Sequence, residues 1–444
     1  MKGDGPVSRK RILVTLLFAV TILLAGCSMR TIDEMYCLPK RSEGYLNLQS
    51  AMDSAMSDLD YHAPISGEHQ EPVQLADLDG DGNAECLVFA KGSGEKPLKI
   101  LIFKQVENQY ILFSTLENNG TAFDQVQYVR FSGRQGYDIV IGRQVSEQVV
   151  RAVSVYSMVE GKMVQMLTTQ YSHFLCTDLN IDGKTELMIL RPGEDVSQSG
   201  VAELYSIRDG VVERSQEVPM SEPVDKIKRI MTSKLSDGPA AVYVASDVDG
   251  SSIITDVFAV LDGAFTNVSL SSESGTSVQT LRNYYVYGDD LDKDGVLELP
   301  NLIPLPNLGN SSNDDQYLIR WYSMNSDGSV VNKLHTYHSF TGGWYIELPA
   351  KVANAVSVAQ FGNSYEFSVT NSDGVVSKLM TIYVFTGQER EEQAVTDNRF
   401  ALYRTESTVF AAHLDVTSAA YNMNQETLIK AFHLITQNAG NGEI

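Results

Sequence analysis

The sequence has few of the residues that build most catalytic and disulfide-bonded sites. It contains four cysteines, seven histidines and two tryptophans among 444 residues. It has no C-x-x-C spacing typical of zinc sites, and no nucleophile elbow, P-loop, G-x-G-x-x-G fingerprint or zincin helix motif. The closest histidines, His335 and His338, are three residues apart, so on a strand they point to opposite faces and cannot bind one ion together. The sequence therefore predicts no catalytic residues.

Basic residues are also scarce. The chain has 34 Lys and Arg against 56 Asp and Glu, which gives a formal net charge of −22. Such a surface repels nucleic acid and anionic lipid head groups, so neither is an expected partner.

The chain has one strongly apolar run near its start, Ile12 to Leu24, which is too short for a comfortable membrane span. A basic segment with Lys2 and Arg9 precedes it, and Leu24-Ala25-Gly26-Cys27 follows. This order resembles a bacterial lipoprotein signal peptide over residues 1–27, in which the chain is cut before Cys27 and its thiol carries a lipid. An uncleaved N-terminal anchor is the alternative. Both interpretations predict a protein on the extracytoplasmic face of the cell membrane.

With Cys27 lipidated, an odd number of cysteines remains, which argues against a disulfide framework. Cys86 and Cys176 lie in apolar runs, and we expect them to be small buried residues.

Three acidic loops share the pattern D-x-[DN]-x-D-G-x-x-E, and each leads into an apolar run. The candidate metal ligands are Asp77, Asp79, Asp81 and Glu85 in the first loop, Asp178, Asn180, Asp182 and Glu186 in the second, and Asp290, Asp292, Asp294 and Glu298 in the third.

Oxygen ligands at positions 1, 3, 5 and 9 of a tight turn suit a hard divalent cation, and Ca²⁺ fits best. Without a cation, the clustered carboxylates would repel one another. An EF-hand would need its glutamate at position 12 and helices on both sides, whereas here the acid is at position 9 and a strand follows. A polar turn without metal is the alternative.

The chain divides into four parts. Residues 1–27 are the signal peptide and lipobox, and residues 28–72 form a tether with an amphipathic helix over Glu43–Leu59. Residues 73–340 contain short strands, and residues 341–444 form a further β-rich region. We expect Asn424 to cap a final helix there, with Leu428, Ile429, Phe432 and Ile435 on its apolar face. This last region is either a separate domain or one or two atypical blades of the preceding fold.

Residues 73–340 align as five units of about four strands, beginning near residues 73, 125, 170, 226 and 282. A period near 50 residues with four strands each indicates a β-propeller, for which we expect five to seven blades. In the second unit Ser132–Gly136 replaces the acidic loop, so we expect no metal there. In the fourth we align Asp247–Ser251 with the loop, although it lacks the glycine and the closing acid.

The acidic loops and their following strands resemble the FG-GAP or VCBS-type repeats of integrin-like β-propellers. That resemblance implies Ca²⁺ between blade strands, held by the twelve residues named above, and it implies no defined activity. With the lipobox, the Leu38-Pro39-Lys40 segment, the Trp344 region and the final helix, the chain is similar to uncharacterised lipoproteins of anaerobic Gram-positive bacteria.

Two functions remain open. The first is a lipid-anchored binding or scaffold protein for a protein or glycan ligand, with a calcium-stabilised propeller. The second is an exported glycan-acting hydrolase or lyase that uses the propeller channel. Acidic pairs such as Asp289 and Asp290 are compatible with glycosidase carboxylates. The pairs Tyr284-Tyr285, Trp321-Tyr322 and Trp344-Tyr345 suit either a sugar platform or core packing.

Overall fold

The computed structural model describes residues 43–145, 150–193, 199–208, 210–283, 286–305 and 317–435. The predicted signal peptide, Cys27, the tether up to residue 42, and the Tyr284-Tyr285 pair lie outside these residues. Within them the protein is mostly β, and six antiparallel sheets follow one another as blades of a β-propeller. Six blades lie within the predicted range of five to seven. No described helix is long and apolar enough to cross a membrane.

Each of the first four sheets is built from consecutive strands. Sheet one contains β1 (Asp60–Tyr61), β2 (Val73–Ala76), β3 (Glu85–Lys91), β4 (Leu98–Val106) and β5 (Gln109–Asn118), with β1 and β2 both paired to β3. Sheet two contains β6 (Ala122–Val129), β7 (Asp138–Gln144), β8 (Arg151–Val159) and β9 (Lys162–Tyr171). Sheet three contains β10 (His173–Thr177), β11 (Glu186–Arg191), β12 (Val201–Arg208) and β13 (Val211–Pro219). Sheet four contains β14 (Ile227–Lys234), β15 (Ala240–Asp247), β16 (Ile253–Leu261) and β17 (Ala264–Asn267).

The last two sheets include strands from the C-terminal part of the chain. Sheet five contains β18 (Leu299–Pro304), β19 (Tyr317–Met324), β20 (Val330–Ser339), β21 (Trp344–Leu348) and, from much later in the chain, β27 (Phe432–Leu434). Sheet six contains β22 (Val356–Phe361), β23 (Ser364–Thr370), β24 (Val376–Thr386), β25 (Phe400–Arg404) and β26 (Thr408–Leu414). Residue 340, where we placed a domain boundary, lies in the turn between β20 and β21, which pair with each other.

In the part of the chain that the structure describes, four short α-helices accompany the sheets: α1 (Glu43–Ala55), α2 (Ala350–Ala353), α3 (Arg390–Gln393) and α4 (Gln425–Ala431). Asn424 caps α4 as predicted, because its side chain accepts from the Thr427 amide in a capping box. The predicted apolar face was partly wrong. Ile429 is 40% exposed, and the helix ends before Phe432, which starts β27. From Phe432 onward, the backbone forms its hydrogen bonds with β21 instead of continuing the helix.

The sheets pack face to face, and this packing explains their sequences. β3 is buried along nearly its whole length, and β7, β11 and β15 follow the same pattern. A strand covered on both faces needs a continuous apolar run rather than alternation. Between sheets one and two, Phe89 meets Phe123 edge to face with ring centroids 5.1 Å apart. Between sheets five and six, Tyr337 meets Phe367 at 5.1 Å in the same way.

Helices cover the outer faces of the first and last sheets. Met52 of α1 packs against Val88 and Phe103 of sheet one. Ala394, directly after α3, packs against Phe385 and Val409 of sheet six. These helical segments bury apolar surface of sheets one and six that would otherwise be exposed to water.

Candidate metal centres

All three predicted acidic loops lead directly into a strand of a blade. The Asp77 loop joins β2 to β3, and the Asp178 loop joins β10 to β11. The Asp290 loop leads into β18, and Asp289 before it pairs with Glu298 through an isolated antiparallel bridge. The loops therefore occupy the same place in sheets one, three and five.

The first aspartate of each loop binds the backbone of its own turn. One of its carboxylate oxygens accepts a hydrogen bond from the amide of the glycine at position 6. The distances are 3.0 Å from Gly82 N to Asp77 Oδ2, 2.9 Å from Gly183 N to Asp178 Oδ2, and 3.0 Å from Gly295 N to Asp290 Oδ2. The three glycines have φ values of 87°, 83° and 83°, in the left-handed region that glycine adopts without strain.

The closing glutamate is buried and holds the start of the loop. Its Oε2 atom accepts a hydrogen bond from the amide at position 2, which is a leucine in all three loops. The distances are 2.8 Å for Leu78 to Glu85, 2.9 Å for Leu179 to Glu186, and 2.9 Å for Leu291 to Glu298. Leu78 and Leu179 are nearly inaccessible and belong to the cores between neighbouring sheets. The shared leucine was visible in the sequence, but our pattern left that position open.

Position 4 of each loop also adopts a left-handed backbone. It is Gly80 in the first loop with φ 79°, Ile181 in the second with 58°, and Lys293 in the third with 60°. A β-branched residue in this region is strained, and sequence reasoning missed this constraint. Ile181 gains little in compensation, because its side chain is 63% exposed.

The structure brings most of the predicted ligands together. Oxygens of Asp77, Asp79 and Glu85 lie within 4.8 Å of one another, as do those of Asp178, Asp182 and Glu186. The third group is Asp290, Asp292 and Asp294. Asp81 and Glu298 lie outside the groups of their own loops. Asn180 instead donates its side-chain amide to Glu186 Oε1 at 2.8 Å.

The electrostatics of the loops favour a bound cation. Burial, followed by repulsion from Asp182 and Asp178, raises the pKa of Glu186 to about 7. Burial, followed by repulsion from Asp292 and Asp294, also raises the pKa of Glu298 to about 7. Glu298 is fully buried, and its Oε1 atom has no hydrogen-bond partner.

These residues fit Ca²⁺. Each loop offers only oxygen ligands, carboxylates predominate, and in the third loop a buried acceptor is left unpaired. A bound cation would offset the mutual repulsion of the carboxylates and give that oxygen a partner.

Two lysines that sequence reasoning missed lie against the carboxylates. Lys104, near the end of β4, contacts Asp79 and lies 3.2 Å from Asp81. Lys333, on β20, contacts Asp294 and lies 3.7 Å from Asp292. Neither is close to its partners in sequence, so only the fold reveals the contact.

The alignment of Asp247 with the acidic loops was wrong. Asp247 ends β15, and its turn leads into β16, so it joins the second and third strands of sheet four. The turn between the first and second strands is Leu235–Pro239, where the Leu235 amide binds the Pro239 carbonyl. The Asp247 carboxylate accepts from the Gly250 amide at 2.6 Å and closes an ordinary tight turn.

The aromatic pairs contribute to the core where the structure describes them. Trp321, Tyr322 and Trp344 are each at most 3% exposed. Tyr345 stacks on the buried His338, with ring centroids 4.8 Å apart. Burial lowers the pKa of His338 to about 3, so this side chain is neutral near pH 7. Trp321, Tyr322 and Trp344 are therefore core residues and form no sugar platform, whereas Tyr345 is half-buried.

Two clefts lie where the first strands of the blades converge. One, of about 370 Å³, is lined by β6, β10 and Thr232 of β14. The other, of about 520 Å³, shares Thr232 and adds Lys234, Asp289 and Asp290. Polar and apolar groups line both clefts about equally, and the second adjoins the Asp290 loop.

The chain matches no protein-family model and no curated protein. Among solved structures it is similar to a protein from Lactobacillus plantarum, with 15% identity over 71% of this chain and 86% of that one, at a TM-score of 0.31. It is also similar to a rhamnogalacturonan lyase from Bacillus licheniformis, with 14% identity over 72% and 62% of the chains, and to TolB from Acinetobacter baumannii, with 12% over 68% and 61%, both at 0.25. The chain thus spans under two thirds of the last two proteins. At these values the similarities assign no function.

The strain at position 4 predicts a stabilising substitution. Ile181→Gly should raise the free energy of unfolding by about 1 kcal/mol, because glycine adopts the left-handed backbone without a steric cost. Chemical denaturation in chelator measures this change. The matched control is Ile111→Gly, at an exposed position of β5, which should lower stability. A loss of stability at Ile181 of the same size as at Ile111 would contradict the strain at position 4.

Proposed function

We propose that this protein is a lipid-anchored cell-surface binding or scaffold protein, whose β-propeller of FG-GAP or VCBS type is stabilised by Ca²⁺ in three acidic loops. The observation that carries the calcium role is the repeated loop geometry. In sheets one, three and five, a first aspartate accepts from the glycine amide of its turn, and a buried glutamate accepts from the amide at position 2. Three independent occurrences of one arrangement point to one common ligand.

The ligand arrangement supports a structural ion. Asp77, Asp79 and Glu85 would hold it in the first loop, Asp178, Asp182 and Glu186 in the second, and Asp290, Asp292 and Asp294 in the third. The same loops offer three further oxygen ligands, from Asn180, Asp81 and Glu298. When bound, Ca²⁺ would neutralise the carboxylates and fix the turn to the sheet. All ligands are oxygens, which disfavours zinc or iron chemistry in these loops.

The binding role is supported by the way the carboxylates are used. A catalytic carboxylate needs access to a substrate, and a catalytic metal needs an open position. Here both oxygens of Asp290 accept hydrogen bonds from amides of its own loop, at 3.0 Å from Asp294 and 3.0 Å from Gly295. We therefore place the partner surface away from these loops, and we expect a protein or glycan ligand.

The alternative, a glycan-acting hydrolase or lyase in the propeller channel, has one supporting observation. The cleft of about 520 Å³ is lined by Asp289 and Asp290 and also by Arg229 and Lys234. Turnover of a glycan panel, abolished by Asp290→Asn at an unchanged melting temperature, would establish this alternative instead.

Calcium should stabilise the protein. Binding to the native state adds RT ln(1 + [L]/Kd), or roughly 2.7 kcal/mol per site at a hundredfold excess over Kd. The melting temperature should therefore rise in excess Ca²⁺ relative to chelator. Asp79→Ala and Asp292→Ala should each reduce that rise, as measured by differential scanning calorimetry.

The matched control is Asp373→Ala. Asp373 is also an exposed aspartate followed by a glycine, in the turn between β23 and β24, but it belongs to no acidic cluster among the described residues. This variant should keep the full calcium response. Identical melting curves in Ca²⁺ and chelator for the unmodified protein would contradict the calcium role and leave the polar-turn interpretation.

The lipid anchor is a separate part of the proposal. It is supported by the order of basic segment, apolar run and Leu24-Ala25-Gly26-Cys27 in the sequence. Two acyl chains are sufficient for stable membrane attachment. Cys27→Ala should release the protein or leave an uncleaved precursor, whereas the control Cys37→Ala should remain anchored. Mass spectrometry that finds the mature N-terminus elsewhere and without lipid would overturn this part.

A further inference from the structure

Basic side chains lie against the carboxylates of two acidic loops, and the proposed function gives them no role. The Lys104 ammonium contacts Asp79 and lies 3.2 Å from Asp81 and 3.7 Å from Glu85. It thus meets three of the four predicted ligands of one loop. An ordinary surface ion pair joins one lysine to one carboxylate, and it contributes little.

The Asp290 loop has the same feature from a different part of its sheet. The Lys333 ammonium contacts Asp294 and lies 3.7 Å from Asp292. Lys333 is the extra residue of a β-bulge, since Asn332 pairs with Tyr322 and Leu334 with Trp321. A bulge re-aims a side chain, and here the side chain lies against the acidic loop of its own sheet.

In sheet two, an arginine takes the place of the acidic cluster. The corresponding loop, residues 130–138, also spans nine residues and ends in a buried acid, Asp138. The carboxylates of the first positions are absent from its sequence, and position 5 is Arg134. The Arg134 guanidinium lies 3.8 Å from Asp138 and also donates to Ser157. A cationic side chain therefore sits beside the closing acid in the loop where we predicted no metal.

The Asp178 loop has no such cation. Among the described residues, no lysine or arginine forms an ion pair with Asp178, Asp182 or Glu186. The lysine within this loop, Lys184, lies with its side chain over Gly133 of the neighbouring blade. Glu186 Oε1 receives the neutral amide of Asn180 instead.

We propose that Lys104 and Lys333 are tethered cations that occupy the metal positions of the Asp77 and Asp290 loops whenever Ca²⁺ is absent. This inference rests on the proposed calcium role and adds its regulation. An ammonium offsets part of the carboxylate repulsion in the cation-free protein. Ca²⁺ must displace it to bind, so these two loops have a built-in competitor, whereas the Asp178 loop has none.

The test replaces each lysine by methionine, which keeps an unbranched side chain of similar size and removes the charge. The purified full chain is titrated with Ca²⁺ by calorimetry, and its melting temperature is measured in chelator. Lys104→Met and Lys333→Met should each strengthen Ca²⁺ binding at one site by about tenfold or more, because a competing positive charge is removed. In chelator, each variant should melt below the unmodified protein.

The matched control is Lys99→Met. Lys99 is on the same strand as Lys104, and its ammonium pairs with the single carboxylate of Glu117 at 2.6 Å. This variant should leave Ca²⁺ binding unchanged. If all variants bind Ca²⁺ as the unmodified protein does, the tethered-cation inference fails and the calcium role stands.

Two other outcomes separate the two claims. If the unmodified protein binds no Ca²⁺ but Lys104→Met or Lys333→Met does, the tethered cations are supported and the native calcium role fails. Absence of Ca²⁺ binding in every variant overturns both.

Discussion

The hydrogen bond from the position-2 amide to the buried closing glutamate is the contact on which each acidic loop depends. It brings a carboxylate to a site that is 1% exposed for Glu85, 4% for Glu186 and 0% for Glu298. It also places a leucine in the core between sheets, as Leu78 and Leu179 show. Burying a carboxylate is costly unless positive charge or donors compensate. A positive charge near the buried carboxylate therefore stabilises the folded protein wherever this loop occurs.

The blades place different groups beside the closing acid. Sheet two supplies Arg134, while sheets one and five supply Lys104 and Lys333 from other strands of the same sheet. Sheet three supplies only the Asn180 amide. A repeat architecture allows this variation, because each blade keeps its own core with its neighbours and its loop can change independently. Loops with a full set of carboxylates remain suited to Ca²⁺, whether or not a lysine shares them.

The sequence predicted the β-rich fold and the acidic loops well, since both depend on local pattern. Four of the five predicted units begin within about three residues of the expected positions, at β2, β6, β10 and β14, because apolar runs and turn residues mark them. The Asp247 turn was misaligned because an aspartate–glycine turn looks alike between any two strands. Lys104 and Lys333 could not have been found, because register and a bulge bring them to the loops. The left-handed backbone at Ile181 could not be predicted, because isoleucine rarely adopts that conformation and gives no turn signal.

Calcium binding in the three acidic loops is tested directly by a crystal structure of the protein grown with Tb³⁺ in place of Ca²⁺, with anomalous difference density calculated at the terbium edge. Terbium is a hard cation that takes oxygen ligands like those of calcium. We expect separate peaks within the loops that begin at Asp77, Asp178 and Asp290, and none in the loop of residues 130–138. Density confined to other surface sites, with all three loops free of metal at saturating Tb³⁺, would contradict calcium binding in these loops.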